Sequence, residues 1–291
     1  MPTIRQSVSI VLLVLVVFSV SAAAEEMPSE LRGLCMTAKS RPFVLITVDG
    51  ARRLNLRIGL RGAESAASLQ RELAALQIAP PGIAPRAYAI DASGRVIDAP
   101  YMLLDYVAGE EKRTWTDGDL RRYAVALADL HAVEYAGHGP VGQIARDPFD
   151  FVHRFDVAVD YWETNHPELF AQPLVADLLA AVRRFVVERN PLFLDLTRFS
   201  LVHGDAHPQN ILFGPDGFRL IDWEWSVIGD PAMDVAMLGW DIATAWQIAL
   251  TGRQLETFLA AYLARRTDPT LRPRRDAWMV YTMCFDQMYH R

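Results

Sequence analysis

The chain has 291 residues, 51% of them hydrophobic, with 29 lysines and arginines against 35 aspartates and glutamates, a formal charge of −6. That length supplies a sizeable core for one large domain or two lobes, and the acidic balance argues against a nucleic-acid partner. Cys35 and Cys284 lie too far apart in sequence to suggest a metal site, and two cysteines define no disulfide framework.

The first segment, Met1–Glu26, has Arg5, an apolar run from Val8 to Val20, and Ser21-Ala22-Ala23-Ala24 before Glu25. This is the order of a secretory signal peptide. The uncharged stretch from Ser7 to Ala24 is also long enough for a marginal membrane span. Three readings stand open. Translation starts at Met27, or the segment anchors the chain in a membrane, or the protein is exported. Arg32, Lys39 and Arg41 after the run outnumber Arg5 before it, which faintly favours lobes on the cytoplasmic side of an anchor. Cytoplasmic lobes are the expectation, with membrane contact only through residues 7–24.

Leu31–Ala38, Phe43–Asp49 and Arg53–Ile58 read as strands, with the hairpin signal Asp49-Gly50 between the last two. Ser65–Gln77 reads as a helix with Leu69, Leu73 and Leu76 on one face. Asp117–Val133 places Leu120, Tyr123, Leu127 and Leu130 at three- and four-residue steps, an amphipathic helix with Asp117 as its expected cap. Further helices are expected over Phe151–Asn165, Pro173–Glu188, Ala232–Ile248, Arg253–Ala264 and Arg274–Tyr289. The aromatics Phe155, Tyr161 and Trp162 read either as core or as the wall of an acceptor pocket.

Residues 201–224, LVHGDAHPQNILFGPDGFRLIDWE, carry the chemistry. Apolar Leu201-Val202 and Ile211-Leu212-Phe213 flank a polar loop, Gly214–Gly217 has turn composition, and Phe218–Ile221 reads as a returning strand. Such a hairpin is expected to bring Asn210 near Asp222. Phosphoryl transfer from ATP needs an acid–base group beside the attacking hydroxyl, and an amide and a carboxylate to hold Mg²⁺. In the protein-kinase template H-R-D-x-x-x-x-N the Asp and Asn are five residues apart, and a metal-binding Asp follows at a later strand end. His203-Gly204-Asp205 with Asn210 keeps that spacing, and Asp222-Trp223-Glu224 stands where D-F-G would.

These residues resemble the aminoglycoside phosphotransferase and choline/thiamine kinase family, small-molecule kinases with a protein-kinase-like fold. The resemblance is strong over about residues 200–240 and continuous but weaker over about 43–135. It implies an α+β, bilobal fold: residues 27–106 as a nucleotide-binding lobe of antiparallel sheet plus helix, and residues 107–291 as a larger, mainly helical lobe for catalysis and acceptor binding. It implies ATP and Mg²⁺ as cofactors, Asp205 as catalytic acid–base, and Asn210 and Asp222 as metal ligands. Arg57 takes the place of a phosphate-binding Lys or Arg, with Glu72 as its partner, although Arg52 and Arg53 compete for that place. Tyr101–Gly109 matches the strand-to-hinge passage, where backbone groups near Asp105–Val107 meet the adenine edge. His203, Glu224 and Asp234 are supporting residues, Asp234 through hydrogen bonds to His203 or its backbone. Trp223, Trp225, Trp240 and Trp246 invite comparison with kinases that hold a cationic acceptor against aromatics. The sequence departs from the pattern at Met36–Arg41, where a glycine-rich phosphate loop is expected and no glycine occurs.

The expected reaction is transfer of the ATP γ-phosphoryl group to a hydroxyl of a small molecule such as an amino sugar, an aminoglycoside or a choline- or thiamine-like alcohol. Residues 1–106 carry 11 basic against 9 acidic side chains, and residues 107–291 carry 18 against 26. The first part suits phosphates, and the second suits a cationic acceptor or is simply a solvated acidic surface. The rival reading is a pseudokinase-type binding module, tethered or exported, which the glycine-poor loop and leader favour and the intact Asp205, Asn210 and Asp222 oppose. A metal-dependent hydrolase is the weakest alternative, because His203 and His207 lack a third ligand at recognisable spacing.

Overall fold

The computed structural model describes residues 43–48, 52–59, 62–93, 99–214, 217–238 and 250–289. The leader segment, the expected strand Leu31–Ala38, the glycine-free segment Met36–Arg41, the Asp49-Gly50 turn, and Trp240 and Trp246 lie outside the described residues. The chain groups into two compact units: one takes residues up to Gly109 together with Gly214–Glu224, the other Glu110–Phe213 and Trp225–Arg291.

In the first unit, β1 (Phe43–Val48) and β2 (Arg52–Ile58) pair antiparallel, with Phe43 opposite Arg57. Helix α1 (Gly62–Ile78) follows, then β3 (Ala87–Asp91) and β4 (Tyr101–Asp105), giving the antiparallel order β1-β2-β4-β3. The leucine spacing of α1 explains its docking: buried Leu69 joins Met102 and Leu104 of β4, with Leu73, Leu76, Ala87 and Ile90 packed around them. Full burial of a side chain such as Leu69 or Met102 contributes about 1.5–3 kcal/mol. Strand β3 gave no sequence signal, since two of its five residues are alanine and a register shift falls between Ala87 and Ala89.

In the second unit, β5 (Glu110–Glu111) pairs with β8 (Ile211–Gly214) through Glu110 opposite Phe213. Helix α2 spans Asp117–Leu130. Its cap is Thr116 and not Asp117: the Asp119 N–H donates to Thr116 Oγ1 at 3.1 Å, and the Thr116 N–H donates to Asp119 Oδ2 at 3.1 Å. This reciprocal box satisfies two backbone donors, which a lone Asp117 could not do. Asp117 instead pairs with exposed Arg253 at 2.7 Å. The helix stops three residues before Val133 because Glu134–Tyr135 forms β6, with Glu134 opposite Ser200 of β7 (Phe199–Val202).

Helices α3 (Phe151–Asn165), α4 (Pro167–Phe170), α5 (Pro173–Arg189) and α6 (Pro191–Leu194) lie between β6 and β7. Strand β9 (Gly217–Leu220) belongs to the first unit, where the Leu220 N–H donates to Ile83 O at 2.7 Å. Strand β10 (Val227–Gly229) returns to the second unit and completes the sheet order β10-β7-β6. Helices α7 (Ala232–Met237), α8 (Gly252–Arg265) and α9 (Leu271–Tyr289) follow. Tyr123 of α2 stacks on Phe258 of α8 at 5.8 Å, and Phe151 of α3 stacks on Phe193 of α6 at 4.1 Å with Trp278 of α9 against both. Phe155 is core, buried against Tyr281 and Phe285, so it walls no pocket. Among the described residues no helix is long and apolar enough to cross a membrane.

Candidate active site

In the first unit a single guanidinium gathers carboxylates from separate segments. Arg57 lies on β2 between Leu56 and Ile58, and by the strand's alternation points to the opposite face from them, yet it is 1% exposed. Its Nη1 donates to Glu72 Oε1 of α1 at 2.5 Å and its Nη2 to Asp222 Oδ1 at 2.5 Å, with Glu224 Oε1 at 3.9 Å. A planar fork suits this arrangement, because its two nitrogens serve two acceptors at once. Helix α1 also grips the D-W-E segment directly. The Trp223 N–H donates to Glu72 Oε1 at 3.3 Å, and Ser68 Oγ, one turn before Glu72, donates to Glu224 Oε2 at 3.0 Å.

Asp222 has φ of 65°, the only positive value on a non-glycine residue among the described ones. Aspartate tolerates this left-handed region better than most residues, and such strain concentrates at functional sites. Arg53, the competing arginine, is exposed and stacks over the Tyr106 ring at 4.4 Å, away from Glu72. Asp105 stands apart from this cluster. Its carboxylate accepts from Tyr88 Oη at 2.5 Å and from the Arg86 N–H at 3.2 Å. Its own N–H donates to Arg86 O, and the Tyr106 N–H donates to Arg53 O. The Val107 N–H meets no backbone acceptor among the described residues.

In the second unit the H-G-D-A-H-P-Q-N segment follows β7. Gly204 has φ of +80°, and a Cβ on it would lie 2.3 Å from Trp225 O, so only glycine fits here. Asp205 and Asn210 come together. Asn210 Nδ2 donates to Asp205 O at 2.8 Å and to Asp205 Oδ2 at 3.0 Å. Both amide hydrogens are thereby committed, which leaves Asn210 Oδ1 and Asp205 Oδ1 without a partner among the described residues. Trp225 beside Gly204 is 65% exposed, while Trp223 is fully buried in the first unit.

Asp234, at the start of α7, holds the backbone of this loop. Its Oδ2 accepts from the His203 N–H at 2.7 Å and its Oδ1 from the Gly204 N–H at 2.8 Å. Oδ2 also lies 3.2 Å from His131 Nε2, and His131 Nδ1 lies 2.8 Å from Tyr262 Oη. All of these partners are satisfied when Tyr262 donates to Nδ1 and the Nε2–H donates to Asp234. Burial alone would raise the Asp234 carboxyl. The hydrogen bond from His131 and the backbone N–H of His203, with the electrostatic pull of the two rings, outweigh it and hold the group below the ordinary carboxylate range. Burial pushes the Tyr262 hydroxyl well up, so it keeps its proton.

A second buried carboxylate closes the same region. Asp230 accepts two bonds from Arg274 at 3.1 Å each, one from Trp278 Nε1 at 2.9 Å and one from the Ala232 N–H at 3.0 Å. No local signal in the sequence marks Asp230, Tyr262, Ser68 or Arg274 for these contacts. Partners separated by tens of residues leave no local pattern. His131 was the exception with a signal, a histidine closing an amphipathic helix on its buried side.

Asp205, Asn210, His203 and Asp234 thus belong to the second unit, and Arg57, Glu72, Asp105, Val107, Asp222 and Glu224 to the first. Among the described residues no three His, Cys, Asp or Glu side chains form a metal cage. Magnesium does not need one, since it is usually bound through one or two carboxylates plus substrate phosphates. The donor chemistry fits: Asn210 offers an amide oxygen and Asp222 a carboxylate, both hard oxygen ligands.

Solved structures with similar folds are small-molecule kinases. A thermostable mutant of an aminoglycoside phosphotransferase, in a ternary complex with AMP-PNP and hygromycin B, is 18% identical, with 87% of this chain and 83% of that one covered and a TM-score of 0.59. A choline/ethanolamine kinase family protein from Mesorhizobium loti is 18% identical over 98% of this chain and 84% of its own, with a TM-score of 0.55. The ethanolamine kinase of Plasmodium vivax is 12% identical over 86% of this chain and 73% of its own, with a TM-score of 0.60. At these identities the likeness speaks for the fold, which is the α+β protein-kinase-like one. No curated protein matches the sequence closely enough to count as a relative. The model of the phosphotransferase enzyme family matches residues 39–278, most of the chain, and the chain therefore belongs to that family of small-molecule kinases acting on hydroxyl groups.

Proposed function

We propose that this enzyme transfers the γ-phosphoryl group of ATP to a hydroxyl of a small acceptor, with Mg²⁺ as the metal. The observation that carries the reading is the Asp205–Asn210 pair: the amide hydrogens hold one side of Asp205, and one carboxylate oxygen is left for a substrate. Asp205 orients the acceptor hydroxyl and takes its proton as the oxygen–phosphorus bond forms and the bond to the departing ADP breaks. Bound Mg²⁺ neutralises charge on the phosphate oxygens, and Asn210 Oδ1 and Asp222 are its proposed ligands. Arg57 donates to phosphate oxygens with Glu72 fixing its fork, and the Val107 N–H meets the nucleobase edge. Asp234 and His203 keep the loop in register, so positioning contributes more than base strength.

Trp225 supports an acceptor with a flat or cationic face. Its backbone is fixed against Gly204, next to Asp205, and the residue is 65% exposed. An amino sugar or quaternary amino alcohol matches that surface. The test is ADP release from ATP·Mg²⁺ across a panel of hydroxylated amines, amino sugars and neutral sugars. Acceptor-dependent release that requires Mg²⁺ and vanishes in Asp205→Asn is expected. Failure of every acceptor to raise ADP release above the water background would contradict the proposal.

A further inference from the structure

His207, two residues after Asp205, is buried, and the proposed reaction gives it no role. Its backbone closes the loop: the His207 N–H donates to Asp205 O at 2.8 Å, and the Asn210 N–H donates to His207 O at 2.9 Å. Its ring caps the short turn Pro208–Asn210, with Nδ1 accepting from the Gln209 N–H at 3.2 Å. A nitrogen that accepts a hydrogen bond carries no proton, so the ring hydrogen of neutral His207 sits on Nε2. That nitrogen lies 3.4 Å from Asp205 Oδ2. Nε2 also lies 3.1 Å from Asn210 Nδ2. In that tautomer Nε2 carries the proton and cannot accept, so this second approach brings two donors together and the amide donates to Asp205 instead.

We infer that His207 is a positioning residue for the catalytic carboxylate: the turn cap fixes its tautomer, and its Nε2–H, together with the Asn210 amide, holds Asp205 Oδ2 and turns Oδ1 toward the acceptor hydroxyl. At 3.4 Å the contact is longer than a formed hydrogen bond. Catalytic contacts are commonly long without substrate and tighten in the reactive complex. Holding one oxygen by two donors removes the carboxylate's freedom to rotate, and rotation would move the reactive oxygen by more than the roughly 1 Å that costs about 10²-fold in rate. The inference rests on Asp205 as the base proposed above.

Two amide substitutions separate the two ring nitrogens. His207→Asn places an oxygen where Nδ1 accepts, so it keeps the turn cap and loses the donor. His207→Gln reaches the Nε2 position with an N–H, so it keeps the donor and loses the cap. The positioning role predicts that His207→Asn lowers kcat by about 10²-fold with KM for ATP within about twofold, and that His207→Gln recovers part of kcat at some expense in Tm. A merely structural cap predicts the reverse order, and a His207→Asn enzyme as fast as the wild type overturns the inference.

A spectroscopic arm does not depend on turnover. In the full chain labelled with ¹⁵N-histidine, two-bond ¹H–¹⁵N correlations should show His207 as the Nε2–H tautomer, with its Nε2 resonance displaced by Asp205→Asn. An Nδ1–H tautomer, or a ring indifferent to Asp205→Asn, overturns the inference whether or not the chain is a kinase. Absent turnover in the wild type is instead a failure of the kinase reading, and the spectrum then decides the His207 contact alone.

Discussion

The two units use buried charge in opposite ways. Around Arg57 carboxylates come from two segments, Glu72 from α1 and Asp222 and Glu224 from the D-W-E segment, and the last two keep 32% and 15% of their side-chain surface exposed. Around Asp234 and Asp230 the side chains are fully buried, and the carboxylates bind backbone N–H groups as well as His131, Arg274 and Trp278. A side-chain cluster near solvent can exchange partners, because a phosphate oxygen or a metal ion can replace a carboxylate or a guanidinium. A carboxylate that closes backbone donors cannot exchange without exposing them, and an unsatisfied buried donor costs about 1–3 kcal/mol. The first arrangement suits a site that binds and releases a charged ligand, and the second suits a scaffold that holds a loop still.

The sharpest break in this comparison comes from Asp205, which hangs on the rigid scaffold but is itself open. Asp205→Asn is expected to cut turnover by about 10²–10⁴-fold, the usual contribution of a general base, while ATP affinity stays nearly unchanged. Single-turnover kinetics and nucleotide titration check the two halves separately. Next in size is Arg274→Met. It removes the bidentate partner of Asp230 and leaves two carboxylates, Asp230 and Asp268, without their cation. Stability should fall by about 3–5 kcal/mol in denaturant titration. An unchanged midpoint would mean that the second network is not structural.

The pH dependence of stability follows from the same network. The Asp234 carboxyl, and Asp268 through its Arg274 bonds despite partial burial, are held below the ordinary carboxylate range. A depressed folded-state pKa stabilises above the unfolded value and loses that contribution as pH falls through the folded one. Melting temperature should therefore be flat above about pH 5 and drop below about pH 4. Asp234→Asn should flatten that acid limb, and an unaltered limb would assign it to other groups. The smallest effect is at the α2 cap: Thr116→Ala should cost about 1 kcal/mol and leave turnover untouched, as unfolding and activity measured on one preparation would show.

The sequence carried the local features well. The leucines at 69, 73 and 76 found their shared face on α1, and the helices Phe151–Asn165 and Pro173–Arg189 stand almost where their periodicity put them. Features that depend on a distant partner were legible only through resemblance, as with Glu72, or not at all, as with Tyr262 and the Asp230–Arg274 pair. The Asp117 cap failed for a different reason. Two neighbouring residues both had capping chemistry, and the reciprocal bond with Asp119 decided between them. Strand β3 was invisible because alanine carries almost no strand signal. The D-W-E segment lay in plain view, but its left-handed Asp222 backbone and its fastening to α1 through Ser68 needed coordinates.

The most direct measurement is the thermal shift produced by AMP-PNP, with and without Mg²⁺, in the wild type, Asp205→Asn and Asp222→Ala. Ligand near a hundredfold of its Kd stabilises by about 2.7 kcal/mol, which a melting curve resolves readily. A Mg²⁺-dependent rise in Tm is expected in the wild type, the same rise in Asp205→Asn, and none in Asp222→Ala. A rise that ignores Mg²⁺, that survives in Asp222→Ala, or that is missing from the wild type would contradict a metal-nucleotide site built on this chain.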